Sequence, residues 1–175
     1  MTEEVFEIFD EDNQLIGTAP RSEVHRKGLY HRAVNVFIVN SQGYIFLQKR
    51  SEKKDTSPGY WCYGAGEHLK PGESYIDGAL RGLKEELGLE NANAIELRGP
   101  KLFHLEHENG IVDNEFDALY VVVSDGPFHL DKEEVSECMF FKPDEIDRYI
   151  EDGTMDFTKV FLLEWPEFKK YYLDA

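Results

Sequence analysis

Apolar residues fall into short runs over the first third of the chain. Val5-Phe6-Glu7-Ile8-Phe9 reads as a strand, Asp10-Glu11-Asp12-Asn13 as a turn, and Gln14–Thr18 as the returning strand of a hairpin that Pro20 ends. Ser22 starts a short helical turn and Gly28 stops it. Ala33–Asn40 is apolar and β-branched, Ser41-Gln42-Gly43 turns, and Tyr44–Gln48 returns as a second hairpin. Ser51–Tyr60, with Pro58-Gly59, is a loop. Lys70-Pro71-Gly72-Glu73 then leads into Ser74, with Asp77 three residues on, a helix start resembling a capping box. That helix runs to about Leu87, where Gly88 supplies the left-handed stop. Strands follow at Ile95–Glu106, Phe116–Val123 and Glu137–Phe141. Pro143-Asp144-Glu145-Ile146 opens a short helix, and Phe157–Tyr172 has helical apolar spacing interrupted by Pro166. With no repeat and no linker, the expectation is one α+β domain over 1–175, a mixed sheet flanked by helices in an α/β/α sandwich, carrying an N-terminal hairpin extension over about residues 1–30.

Composition narrows the function. The 175 residues are 41% hydrophobic and 13% aromatic, enough for a packed core and incompatible with a disordered chain. A net charge of −16 argues against a nucleic-acid binder and against docking on anionic membrane. Of the 35 acidic residues, 19 lie in 101–175, which reads as a solvated face. The cations of the first third are bunched as Arg21, Arg26, Lys27, Arg32 and then Lys49, Arg50, Lys53, Lys54, a distribution suited to a small anion. No apolar run is long enough to span a membrane, Met1-Thr2-Glu3-Glu4 lacks the start of a secretory signal, and Cys62 and Cys138 have no paired spacing. A cytoplasmic location is expected.

The chemistry concentrates in Glu73–Leu89. Positions 82, 85, 86 and 89 share one helical face, while Glu85 and Glu86, being adjacent, cannot point the same way. Arg81 lies one turn before Glu85 and can hold its carboxylate. Oxygen ligands on a helix beside a Gly-containing turn suit Mg²⁺ or Mn²⁺, and these suit diphosphate oxygens. The bland alternative is a solvent-facing helix with an Arg–Glu pair.

The run over 67–89 resembles the Nudix box, with Glu73, Arg81, Leu83, Glu85, Glu86, Gly88 and Leu89 at matching positions. The resemblance implies a Nudix fold, a divalent-metal-dependent hydrolase of a small diphosphate-containing substrate, metal held by Glu85 and Glu86, and structural roles for Glu73 and Gly88. Two positions depart from the pattern: the leading Gly slot holds Glu67, and the Glu after Arg81 is Gly82. The paired gain and loss suggests that Glu67, in the loop before the helix, replaces the carboxylate missing at Gly82.

His25, His31 and His68, with Asp113 and Glu115 in Gly110-Ile111-Val112-Asp113-Asn114-Glu115, resemble the metal set of type I isopentenyl-diphosphate isomerase, itself of Nudix fold. Three imidazoles and two carboxylates suit a second divalent ion such as Mn²⁺ or Zn²⁺. Arg50 and Lys54 fall where that family binds the substrate diphosphate. Its cysteine acid, however, corresponds to Gly66, and a tyrosine it uses corresponds to Phe103. Hydrolysis is therefore expected, with water attacking phosphorus, Glu115 as general base, and Arg81, Glu85 and Glu86 in the machinery. Isomerase activity is disfavoured by Gly66; a non-catalytic ligand-binding module is the third reading, motivated by Gly82.

Overall fold

The computed structural model describes residues 3–175, so Met1 and Thr2 of the expected N-terminal extension lie outside it. Fourteen elements follow in order: β1 (Val5–Phe9), β2 (Leu15–Pro20), α1 (Arg21–Lys27), β3 (Tyr30–Val39), β4 (Ile45–Arg50), β5 (Trp61–Cys62), β6 (Ala65–His68), α2 (Tyr75–Leu87), β7 (Ile95–Glu106), β8 (Val112–Val123), β9 (Val135–Phe141), α3 (Pro143–Asp152), α4 (Lys159–Phe168) and a wide π-type turn at Lys169–Leu173. The strands form one mixed sheet. β3 lies at its centre, parallel to β8 from Tyr30↔Asn114 to Val39↔Val123. Its other edge changes partner along its length: β1 at Tyr30, β6 from Ala33 to Val36, and β4 at Ile38 and Val39.

Side-chain alternation on β3 and β8 divides the core. Val34, Val36, Ile38, Ala118, Tyr120 and Val122 pack under Ala79, Leu83 and Leu87 of α2. On the opposite face Phe37, Val39, Leu119 and Val121 pack against Ile146 of α3 and Phe161, Trp165 and Phe168 of α4. The helices therefore cover both faces, as the α/β/α expectation required. Continuing along this second face, the same alternation turns polar: Asn35 and Asp117 come next, then His31 with Asp113 and Glu115. One face of two adjacent strands thus grades from hydrophobic core into a cluster of ionisable groups.

Three local expectations change. The segment after the loop, 61–68, forms β5 and β6, and Glu67 lies in strand β6 rather than in a loop. β8 begins at Val112, so Asp113 and Glu115 are strand residues with fixed directions. Pro166 does not break α4, which continues to Phe168 and into the wide turn. Packing of the stacked rings of Phe161, Trp165 and Phe168 holds the segment helical despite the lost backbone donor.

The polar layer between core and cluster is closed by ion pairs. Asn35 Nδ2 donates to Asp117 Oδ2 (2.5 Å) and Glu164 Oε2 (3.0 Å). Glu164, fully buried, also accepts from Arg98 Nη2 at 2.8 Å. Burial pushes the Asp117 and Glu164 carboxyls up; the charge of Glu164 adds to this at Asp117, and Glu164 reaches about 8 against the pull of Arg98. Glu164→Ala removes an acceptor shared by Asn35 and Arg98, while Arg98 keeps Glu167 and the Gly99 and Asp117 carbonyls, so the expected cost is about 1–3 kcal/mol for the buried donors left unpaired, read by urea denaturation. An unchanged midpoint would contradict this role.

Candidate functional site

The ionisable end of the sheet opens into a cleft of about 820 Å³. Its floor carries Ala33, Asn35, Cys62, Tyr63 and Gly66. One wall holds His68, Asp113, Glu115 and His107, another Glu67, Arg81, Glu85 and Glu86, and the rim Arg21, Arg50, Lys53, Lys54, Lys70 and Lys159.

Five residues from four elements converge at the first wall, of which His68, Asp113 and Glu115 line the cleft while His25 and His31 are buried beside them. His25 comes from α1, His31 from β3, His68 from β6, and Asp113 and Glu115 from β8. His31 and Glu115 are direct neighbours across the parallel ladder, and His68 is registered to Ala33, two residues from His31. Ligand atoms of His25, His31, His68 and Asp113 all lie within 4.8 Å of one another. Among the described residues, neither Nε2 of His25 and His31 nor Oδ1 of Asp113 has a hydrogen-bond partner, although all three atoms are buried. His25 Nε2 stands 3.3 Å from Asp113 Oδ1, while Glu115 Oε1 stands 3.5 Å from His31 Nε2 and 2.9 Å from His68 Nε2. Donors bound at about 2.1 Å to one ion stand roughly 3.0–3.4 Å apart, so this set fits a transition metal.

The surroundings prepare these donors. Nδ1 of His31 donates to the Leu29 carbonyl at 2.9 Å, fixing the ring with Nε2 inward. Phe6 of β1 stacks on His31, with ring centroids 5.5 Å apart, so the N-terminal hairpin roofs the cluster. Burial, then the charge of His68, lowers the His25 pKa to about 4, leaving a neutral imidazole. Burial also opposes charge on His31 and Glu115, but their close approach and the bond from His68 to Glu115 outweigh it, raising His31 and holding Glu115 ionised.

On the facing wall α2 presents the box. Ser74 caps it by accepting from the Asp77 amide, and Gly88 ends it in the left-handed conformation. Arg81 is its hub: Nε and Nη2 bond Glu73 (2.8 and 3.0 Å), Nη1 bonds Glu67 (2.7 Å) and Glu85 (3.3 Å), and Nη2 bonds the His68 carbonyl (2.9 Å). Glu73 also accepts from the Lys70 amide and ties the loop to the helix. Glu86 is buried, accepting from Gln48 Nε2 (2.7 Å) and the Gly66 amide (3.1 Å), whereas the Glu85 side chain is 54% exposed. Burial, then the charge of Glu67, raises Glu86 to about 7. Burial raises Glu67 as well, against the pull of Arg81. Two carboxylates forced together in this way are relieved by a divalent cation. Gly82 has a steric cause: a Cβ there would stand 2.6 Å from Cγ of Glu67. The Glu67 side chain lies over the helix at the position where the box glutamate is missing.

The cations expected to grip phosphate are in the cleft but engaged. Arg50 donates to the Thr56 carbonyl and hydroxyl, Lys54 pairs with Glu134, and Lys53 pairs with Glu133. Cys62 is buried, and burial pushes its thiol up to about 12.

A family model described as the NUDIX domain matches residues 29–161. The chain belongs to the Nudix family. An uncharacterised Nudix hydrolase of Pseudomonas aeruginosa is 36% identical over 77% of this Nudix chain and 76% of its own. An isopentenyl-diphosphate Delta-isomerase of Pectobacterium atrosepticum is 32% identical over 94% and 91%. The fold matches the crystal structure of DR0079 from Deinococcus radiodurans (TM-score 0.76, 20% identity, 97% of this chain and 99% of that one). It also matches a MutT protein from Methanosarcina mazei (TM-score 0.63, 20% identity, 83% and 94%). The relatives thus carry both names that the two residue sets suggest.

Sequence reading missed His107, whose Nε2 lies 2.7 Å from Asp113 Oδ2 and orients that carboxylate. The signal was the tight turn at 108–110, which returns β8 beside His107. It also missed Gln48, which reaches Glu86 from β4, a contact that depends on pairings distant in sequence.

Proposed function

We propose that this Nudix protein hydrolyses a small diphosphate-containing molecule by attack of water at phosphorus, with divalent metal, and that it acts in the cytoplasm, where its two free thiols stay reduced. The observation that carries the reading is the meeting, in one cleft under a rim of lysine and arginine, of the box carboxylates with His68, Asp113 and Glu115, which the buried unpaired donors of His25 and His31 adjoin. Glu86 and Glu67, with Glu85 at the edge, would hold Mg²⁺ or Mn²⁺; His25, His31, His68, Asp113 and Glu115 would hold a second ion. When bound, such ions polarise the phosphoryl oxygens and lower the pKa of water. Arg81 positions Glu67 and Glu73, and Glu115, kept ionised by two imidazoles, is the candidate base. Lys54 and Arg50 would exchange Glu134 and the Thr56 carbonyl for phosphate oxygens.

The test uses purified protein with Mg²⁺ or Mn²⁺, with and without EDTA, and a panel of nucleotide, sugar-nucleotide and isoprenoid diphosphates in D₂O, read by ³¹P and ¹H NMR. Metal-dependent monophosphate signals support hydrolysis. Intact phosphorus with migrated, deuterated alkene protons would instead establish the isomerase, and binding without either change the ligand-binding module. For the second metal set, His31→Ala is expected to remove the tightly held transition ion from the purified protein, measured by inductively coupled plasma mass spectrometry. Equal metal content in both proteins would refute that ligand set.

A further inference from the structure

Tyr63 lies where the chain crosses from the edge of β4 to the edge of β3, between β5 and β6. Its ring packs on Phe37, with centroids 5.9 Å apart, and passes directly over Gly66. A Cβ on Gly66 would stand 2.7 Å from Tyr63 Cε2, 3.2 Å from its hydroxyl and 3.0 Å from Asn35 Oδ1. Gly66 is bare because the phenol occupies the space a side chain would need. Tyr63 is 8% exposed, yet it lines both the main cleft and a side recess of about 40 Å³. Tyr63 shares the lining of the recess with Glu86, Arg50 and Lys54, and that of the main cleft with Asn35 and Glu115. Its hydroxyl has no protein partner among the hydrogen bonds of the described residues and is not among the fully enclosed unpaired atoms, so it opens into the cleft.

On the reading that this cleft takes a diphosphate, we propose that the Tyr63 hydroxyl contacts the substrate, donating a hydrogen bond to a substrate oxygen held between Glu86 and Glu115. The choice of a phenol follows from its surroundings. Burial, then the charges of Glu164 and Asp117, holds its proton well above the usual tyrosine range, so the group donates. A lysine there would be drawn into ion pairs with the carboxylates; a neutral donor stays available to the ligand. Glycine at 66 is then a specificity feature, because any side chain moves the donor.

The probe is methylenediphosphonate with Mg²⁺, which a hydrolase cannot cleave at its P–C–P bridge, added to protein labelled at tyrosine ¹³Cζ. The Tyr63 resonance, identified by its absence in Tyr63→Phe, is expected to shift on addition. Tyr63→Phe should lower kcat/KM on the hydrolysed diphosphate about 10- to 100-fold with an unchanged melting temperature, the loss expected for one hydrogen bond to a charged group. Gly66→Ala should give a similar loss while retaining the phenol resonance, which no longer responds to the probe. Wild-type kinetics in Tyr63→Phe, or a resonance that stays put while the probe's own ³¹P signals report binding, would reduce Tyr63 to a space filler. A shifted resonance in a wild-type protein that releases no phosphate would sink the hydrolase reading and leave the contact standing. A probe that does not bind at all would overturn both.

Discussion

Glu86→Gln is expected to lower metal-dependent phosphate release by about 1000-fold, while the metal-free variant melts no lower than wild type. The substitution keeps the size of the side chain, and Oε1 can still accept from the Gly66 amide. What it removes is a negative charge that burial and Glu67 both disfavour. A residue whose charge burdens the fold earns its place through a ligand, and several kcal/mol of transition-state stabilisation from a bound cation corresponds to a loss of this size. Calorimetry and initial rates on the same samples separate the two effects. A variant that keeps its activity would remove Glu86 from the site; one that melts well below wild type would show the carboxylate to be structural.

The second large effect concerns the exchanged carboxylate. Glu67→Gly should cost about 100-fold in rate. Gly82→Glu alone should also fail and melt lower, since its Cβ would lie 2.6 Å from Cγ of Glu67 and overpacking costs about 1–3 kcal/mol. The double variant, with glycine at 67 and glutamate at 82, has no such clash and returns a carboxylate to α2; it should recover to within about tenfold of wild type. Steady-state kinetics of the three proteins form a double-mutant cycle. Additive losses would mean that the two positions do not share one function, and full activity in Glu67→Gly would mean that Glu67 is an ordinary surface glutamate.

Much of this arrangement was legible in the chain because it is local. The box lies on one helix, so the spacing from Glu73 to Gly88 carries both its cap and the face on which Glu86 turns inward. The histidines and acids were readable as a set, but what joins them is not local: His31 meets Glu115 through a parallel pairing, and His68 reaches them because β6 borrows the edge of β3. The buried layer of Asn35, Asp117, Arg98 and Glu164 was hidden for the same reason, since its partners are separated by as many as 129 residues. Arg50 and Lys54 illustrate a different limit. Their charge and position were evident, yet their engagement with Thr56 and Glu134 depends on the loop and on the turn before β9, which pattern alone does not orient. The two anomalous glycines were visible as departures, but only the folded chain shows the side chains that lie over them.

The most direct measurement is hydrolysis of the diphosphate panel in H₂¹⁸O with Mg²⁺, followed by ³¹P NMR of the products. Water attack at phosphorus predicts two new monophosphate products, one with its line displaced by a single ¹⁸O and the other unlabelled, because the bridging oxygen leaves with the phosphorus that is not attacked. Products of which neither carries ¹⁸O, or diphosphates left intact in the presence of metal, would contradict it.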